Sequence, residues 1–392
     1  CTEVVGNRVL GFGHSFFSEG EVSLPMSSGY IHAVIANLNN SFKLGAAIKT
    51  LGTLRTDQVY GIGGMIGPAP KTIPIEIRCV YADGTMDQTY HFNAAAHPRL
   101  TPILTTMAMS AAMSSTRDLP LHHTVDYDVT MEFANGQVVH QQNRMANLSP
   151  ADLFLTMGAP IMAATENPFE RVPLKKISGQ MRVSPEAKEA EILSVNLPKT
   201  KYRPGETLRA FLRYRPFRAG EQFLPLEFEL PRDLPDGSYS FSVLDWQQHL
   251  AAEQTAKPFR FTAQSGPEVF DVLRDMLSVR HDAVYMRLTR QPDGVAIGRT
   301  AMPRLPSSRR RVLMGAGLSN TTMFVSSTLK TVTMDYVMSG AAQFTITIDK
   351  DAKVETARRT GRQETTPAAP KVDESKVKPA VKSEAQEAGD GE

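Results

Sequence analysis

Thr2-Glu3-Val4-Val5-Gly6-Asn7-Arg8-Val9-Leu10-Gly11-Phe12-Gly13-His14-Ser15-Phe16 is the stretch on which the fold turns. Two β-prone runs, Thr2 to Val5 and Arg8 to Phe12, flank Gly6-Asn7, and that spacing predicts a hairpin. The second run delivers His14 between Gly11-Phe12-Gly13 and Ser15-Phe16-Phe17. Glycine tolerates backbone angles closed to other residues and lets a neighbouring strand approach closely. An imidazole is thereby set at a strand end facing a cleft, where it serves as a base or as a packing residue. Spacing alone leaves both open.

Outward from this hairpin, residues 20–67 mix short β runs with Gly and Asn punctuation. Tyr30 to Ile35 predicts a strand stopped by Asn37-Leu38-Asn39-Asn40, with His32 inside it as a neighbour of the core rather than a second base. Gly61-Ile62-Gly63-Gly64-Met65-Ile66-Gly67-Pro68 lacks the Lys-Ser/Thr of a phosphate-binding loop, and no helical pattern follows it. Its glycines fit a bending strand or two backbones passing closely. Asp57 is the best local carboxylate for fixing the tautomer of His14; as a turn aspartate it would instead satisfy backbone amides.

Several blocks occur in order: Gly11 to Phe16, Gly20 to Met26, Asn40 to Leu44, Leu51 to Leu54, Asp57 to Gly64 and Ile73 to Ile77. Together they resemble the peptidase domain of SpoIVB-type serine peptidases, more loosely continuing towards residue 170. The resemblance implies part of a trypsin-like β-barrel, with His14 as the general base of a serine nucleophile. It also implies a protein or peptide substrate, the chain itself included, and a site of action outside the cytoplasm (periplasmic, envelope or secreted). The family's Gly-Met-Ser-Gly-Ser-Pro nucleophile block has no counterpart here. The nearest string, Gly315-Ala316-Gly317-Leu318-Ser319-Asn320, lacks the second glycine and the Ser-Pro, so Ser319 reads as a loop serine. In the branch most resembled, the serine block precedes the histidine block. The chain opens at Cys1 within a strand-like pattern, and is expected to be a fragment that lacks the serine and is inactive alone. A non-catalytic envelope binding or scaffold protein that retains the peptidase fold is the competing reading.

Further along, Ile73 to Tyr81 and Gln88 to Phe92 predict a hairpin turning at Ala82-Asp83-Gly84-Thr85, and Val125 to Phe133 with Gln137 to Gln141 another around Asn135-Gly136. Helical spacing over Arg99 to Ser115 predicts a first helix, and Ser149-Pro150-x-Asp152 starts a second that ends near Thr165. His122-His123 has no third ligand at zinc-like spacing. From 172 to 265, runs at Ile177 to Val183, Ala190 to Val195, Thr207 to Tyr214, Leu224 to Leu230, Gly237 to Leu244 and Phe259 to Thr262 predict an immunoglobulin-like β-sandwich, with Trp246 packed under a loop. Residues 266–351 predict a mixed region. It comprises a helix from Gly266, a strand at Ala283 to Leu288, a Pro-Asp-Gly turn, a solvated basic loop at Ser307 to Val312, and strands at Lys330 to Val337 and Ala341 to Ile348. From 352 to 392, Lys, Glu, Pro, Ala and Ser with almost no aromatics predict a disordered tail. The expected organisation is thus mainly β with a few helices: a peptidase-like part over 1–171, the sandwich, the mixed region and the tail.

The 392 residues allow two or three domains, and a net charge of +2 gives no pull towards nucleic acid. No apolar run reaches the ~20 residues that span a bilayer. Cys1 and Cys79 form no C-x-x-C pair; Cys1 reads as a strand cysteine, with an N-terminal nucleophile as the rarer alternative. Nothing in these motifs implies a metal or an organic cofactor.

Overall fold

The computed structural model describes residues 3–11, 15–303, 305–315 and 320–352, apart from the side chains of 291–293. Cys1, His14, Ser319 and the predicted tail from 353 onwards lie outside the described residues. The fold is mainly β with a few helices.

β1 (Glu3–Val5) and β2 (Arg8–Gly11) form the expected hairpin, with Gly6 at φ +59° in the turn. β3 (Gly20–Ile35) and β4 (Phe42–Gln58) are far longer than the short runs expected. With β5 (Gly61–Ile66) they complete an antiparallel sheet in the order β1-β2-β5-β4-β3. A Cβ on Gly52 would stand 2.0 Å from the Met65 carbonyl oxygen, and one on Gly63 2.5 Å from Thr56 Oγ1, so these backbones close up only over glycine. The base of the β3–β4 ribbon packs through Val22, Leu24 and Leu54. Beyond it the ribbon projects, with Tyr30, Val34, Leu38, Phe42 and Ile48 each more than half exposed. His32 sits on this projecting part, exposed and edge-on to Tyr30, and not beside the core as expected.

β6 (Thr72–Tyr81) and β7 (Asp87–Ala95) pair through the expected turn, and α1 (Thr101–Ser114) follows. β8 (Thr124–Phe133) and β9 (Val138–Ala146) turn at Gly136, φ +82°. α2 (Pro150–Leu153) opens with a capping box: Ser149 Oγ accepts the Asp152 amide while Asp152 accepts that of Ser149. It continues through a π turn, Phe154–Gly158, into α3 (Ala159–Thr165). Pro160 has no N–H to return to Thr156, and the helix answers by widening just ahead of it, the Ala159 amide reaching back to Phe154. β10 (Leu174–Ser184), expected to open the sandwich, instead runs parallel to β6 and antiparallel to β8. Its Ile177, Met181 and Val183 join Ile75, Ile77, Tyr81, Val125 and Val129 in the largest core, covered by α1 and the α2–α3 rod.

The remaining strands form two further sheets. β11 (Glu189–Asn196), β12 (Lys201–Tyr202), β13 (Thr207–Pro216), β14 (Gln222–Glu229) and β15 (Gly237–Leu244) precede α4 (Trp246–Ala256) and α5 (Gly266–Leu277). Then come β16 (Ala283–Ile297), β17 (Thr300–Met302), α6 (Ser307–Gly315), β18 (Thr321–Thr333), β19 (Val337–Ser339) and β20 (Ala341–Ile348). One sheet is β14-β13-β11-β19; the other is β12-β20-β15-β16-β17, with β18 also on β16. Leu208, Leu212 and Phe228 of the first share a core with Phe241, Met286 and Ile346 of the second. The stretch from 283 to 348, expected as a separate region, thus supplies strands to both sheets.

Four local expectations are corrected. Pro292-Asp293-Gly294 is not a turn but two register shifts within β16, where proline is tolerated and Gly294 leaves room for the Phe324 ring, 2.3 Å from where its Cβ would be. Phe259 lies in a 3-10 turn, Pro258–Arg260, and owes its apolar character to packing on Ala296 and Phe324. The basic run at 307–312 is helix α6 rather than loop, consistent with the high helix propensity of arginine. Trp246 begins α4 instead of lying under a loop, with Asp245 as its N-cap.

Candidate functional site

The loop from Ser15 to Glu19 follows directly on His14 and wraps the C-terminal end of β4. There Asp57, fully buried, accepts three backbone amides: Phe16 at 2.8 Å on Oδ1, Phe17 at 2.7 Å and Ser18 at 3.0 Å on Oδ2. Ser18 takes φ +58°, a conformation that turns successive N–H groups towards one point. Burial pushes the Asp57 carboxyl up, but the amides of Phe17, Phe16, Ser18 and Glu19 outweigh it and hold it below the ordinary aspartate range. An ionised carboxylate therefore pins the segment that follows the sequence-predicted base. Replacing Asp57 by Ala leaves those amides unpaired inside the protein, and is expected to cost about 3 kcal/mol. Denaturant titration checks the loss, and hydrogen exchange at 16–18 should accelerate beyond that of β5.

Beside this loop stands a second imidazole that the sequence did not single out. His97 is 5 % exposed and lies between the end of β7 and the start of α1. Its Nε2 is 3.0 Å from Glu19 Oε2, and Phe17 stacks on its ring at 5.0 Å. Arg99 sits 5.5 Å over Phe17 and 3.4 Å from the other Glu19 oxygen. The His97 amide donates to Thr101 Oγ1, which donates on to the Ala95 carbonyl and fixes the entry to α1. With Nε2–H donating to Glu19, Nδ1 keeps its lone pair, and it is buried without a hydrogen-bond partner among the described residues. A carboxylate-oriented imidazole with a free nitrogen has the form of a general base. Here that nitrogen is buried away from solvent. No local signal marks the pair, since Glu19 and His97 are 78 positions apart.

The other sequence candidates are structural. His123 is buried, its Nδ1 2.7 Å from the Pro120 carbonyl and its Nε2 accepting the Leu148 amide, while His122 rests on Phe217. Cys79 lies in the core, its thiol pushed up to about 11 by burial. Among the described residues no group of three or more His, Cys, Asp or Glu is placed to hold a metal ion, and no helix is long and apolar enough to cross a membrane. No family model matches the chain, and neither a curated protein nor a solved structure matches it.

Proposed function

We propose that the chain carries the general-base part of a serine endopeptidase of the SpoIVB type. On this reading the first sheet is part of a trypsin-like barrel, the two later sheets form an immunoglobulin-like sandwich, and the enzyme acts on proteins outside the cytoplasm. The supporting observation is the clamp at Asp57: an ionised, buried carboxylate holding the amides of Phe16, Phe17 and Ser18, shortly after His14 in sequence. A base must be held within hydrogen-bond reach of the hydroxyl it deprotonates, and a pinned segment just after it in sequence would serve that end. His14 would take the proton of a serine hydroxyl as its oxygen attacks the peptide carbonyl, then return that proton to the leaving amine. Asp57 is a positioning residue in this scheme, acting through the loop.

The test uses protein expressed from the complete coding region, with self-cleavage and casein hydrolysis as readouts. Removal of a general base costs on the order of 10²–10⁴ in rate, so His14→Ala should abolish detectable cleavage while leaving the thermal transition in place. Cleavage undiminished in His14→Ala removes this residue from the mechanism. Absence of cleavage in the wild type favours a binding or scaffold role.

A further inference from the structure

A cleft of about 430 Å³ opens between the α2–α3 rod, α5 and the first turn of α4. That volume lies in the range of small-molecule sites. Its walls are Leu155, Ala159, Ala163, Leu250 and the apolar face of α5, and no Asp, Glu, Lys or Arg lines it. One side is the indole of Trp246, stacked on His281 with ring centroids 3.8 Å apart. His281 Nδ1 is 3.1 Å from the Arg144 carbonyl, which places a proton on that nitrogen and orients the ring. Burial outweighs the pull of that carbonyl towards the charged form and holds the imidazole well below its ordinary range.

Among the residues lining this cleft, Gln141 of β9 is 2 % exposed. Its Nε2 donates to Tyr127 Oη at 3.0 Å, while Oε1 has no partner among the described residues. A buried acceptor left without a donor is uncommon in folded proteins and has a cause where it occurs. We infer that this cleft is a binding site for an uncharged, largely apolar small molecule carrying one hydroxyl or amine donor, the donor satisfying Gln141 and the apolar body filling the space between the helices and Trp246. The uncharged lining selects against ionised ligands, because a charge entering it would lose its hydration without gaining a counter-charge. This site is independent of the proposed peptidase chemistry.

Trp246 is the single tryptophan of the chain, so its emission reports on this cleft alone. The probe is N-phenyl-1-naphthylamine, an uncharged aromatic with one N–H, which accepts energy from tryptophan. Titration into the wild-type protein should quench Trp246 and sensitise the probe with a saturable Kd on the order of 10 µM, as its size allows. Decan-1-ol should displace it, and the sulfonated analogue 1-anilinonaphthalene-8-sulfonate should transfer energy from Trp246 at least tenfold more weakly. Ala163 lies on the exposed face of α3, so Ala163→Phe fills the cleft without touching the core, and should weaken probe binding tenfold or more with an unchanged thermal transition. Gln141→Leu should weaken it several-fold. Tryptophan-sensitised binding that is unchanged in Ala163→Phe, or equal for the neutral and sulfonated probes, overturns the assignment.

Discussion

Between pH 7 and pH 4 the folded state is expected to lose several kcal/mol of stability, and two histidines, His249 and His281, carry that loss. Both are held down to about 4 from an ordinary 6.5, in each case first by burial. His249 lies flat on Tyr285 at 4.0 Å, 5 % exposed, with its Nδ1 unpartnered among the described residues. Glu253 pulls its pKa back up, but Arg287, Lys257 and Arg260 oppose a second positive charge there. His281 is half-buried against Trp246, with the Arg144 carbonyl and Asp282 as its favourable neighbours. The sign follows from linkage. A group whose folded pKa is depressed binds its proton more readily when unfolded, so its contribution is fully present above 6.5 and is lost as pH falls towards and through about 4.

The gap is worth at most about 3 kcal/mol for His249, and nearer 2 for the more exposed His281. Urea titrations at half-unit steps from pH 7.5 to 4.5 should show stability falling with a slope approaching two protons. His249→Phe, which keeps the stack on Tyr285, should remove about one proton from that slope. His281→Asn, which keeps a donor for the Arg144 carbonyl, should remove much of the other. A slope that is the same in both variants and the wild type would place the acid sensitivity elsewhere.

How much of this molecule could be read from its residues follows the range of the interaction concerned. The N-cap at Ser149, the turns at Gly6 and Gly136 and the close approach over the Gly63-Gly64 segment all rest on neighbours within a few positions, and each was legible. The length of the β3–β4 ribbon was not, because a strand exposed on both faces carries no alternation of apolar and polar side chains. Leu174–Ser184 looked like any other buried strand, and only its parallel partner β6, about a hundred residues earlier, decides which sheet it joins. The pair Glu19–His97 and the orphaned acceptor of Gln141 are likewise products of tertiary packing. The glycine-rich approach to His14 had the clearest local signature in the chain, and the structure adds to it the carboxylate that pins the following loop. That carboxylate was itself legible in both of its readings, as an orienting group and as a turn aspartate. The observed contacts to Phe16, Phe17 and Ser18 are those of the second.

Glu253→Ala is expected to cost about 3–5 kcal/mol, the usual consequence of stranding a buried cation. Arg287, 3 % exposed on the central strand β16, sets its guanidinium 2.5 Å from Glu253 Oε1 on α4, and no other ion pair to Arg287 exists among the described residues. Glu253 is differently placed: Lys257 at 3.0 Å and Arg260 at 3.6 Å also reach its Oε2. The two single substitutions should therefore be unequal. Arg287→Met leaves the carboxylate with two cations and should cost only about 1–2 kcal/mol, whereas Glu253→Ala leaves the guanidinium with none. The double variant Glu253→Leu/Arg287→Met replaces the pair by apolar volume and should return to within about 1 kcal/mol of the wild type, because desolvating both charges costs nearly what their attraction supplies. A double-mutant cycle built on Glu253→Leu and Arg287→Met, with stability read by urea at pH 7, measures this coupling; values that simply add would show that the pair is not one unit. Burial pushes Glu253 up, but Lys257 and Arg287 hold it below the ordinary glutamate range. Because Glu253 raises the pKa of His249 and Arg287 lowers it, the acid slope is measured in variants that keep this pair, and the ion-pair cycle is read at pH 7, above the window in which the histidines titrate.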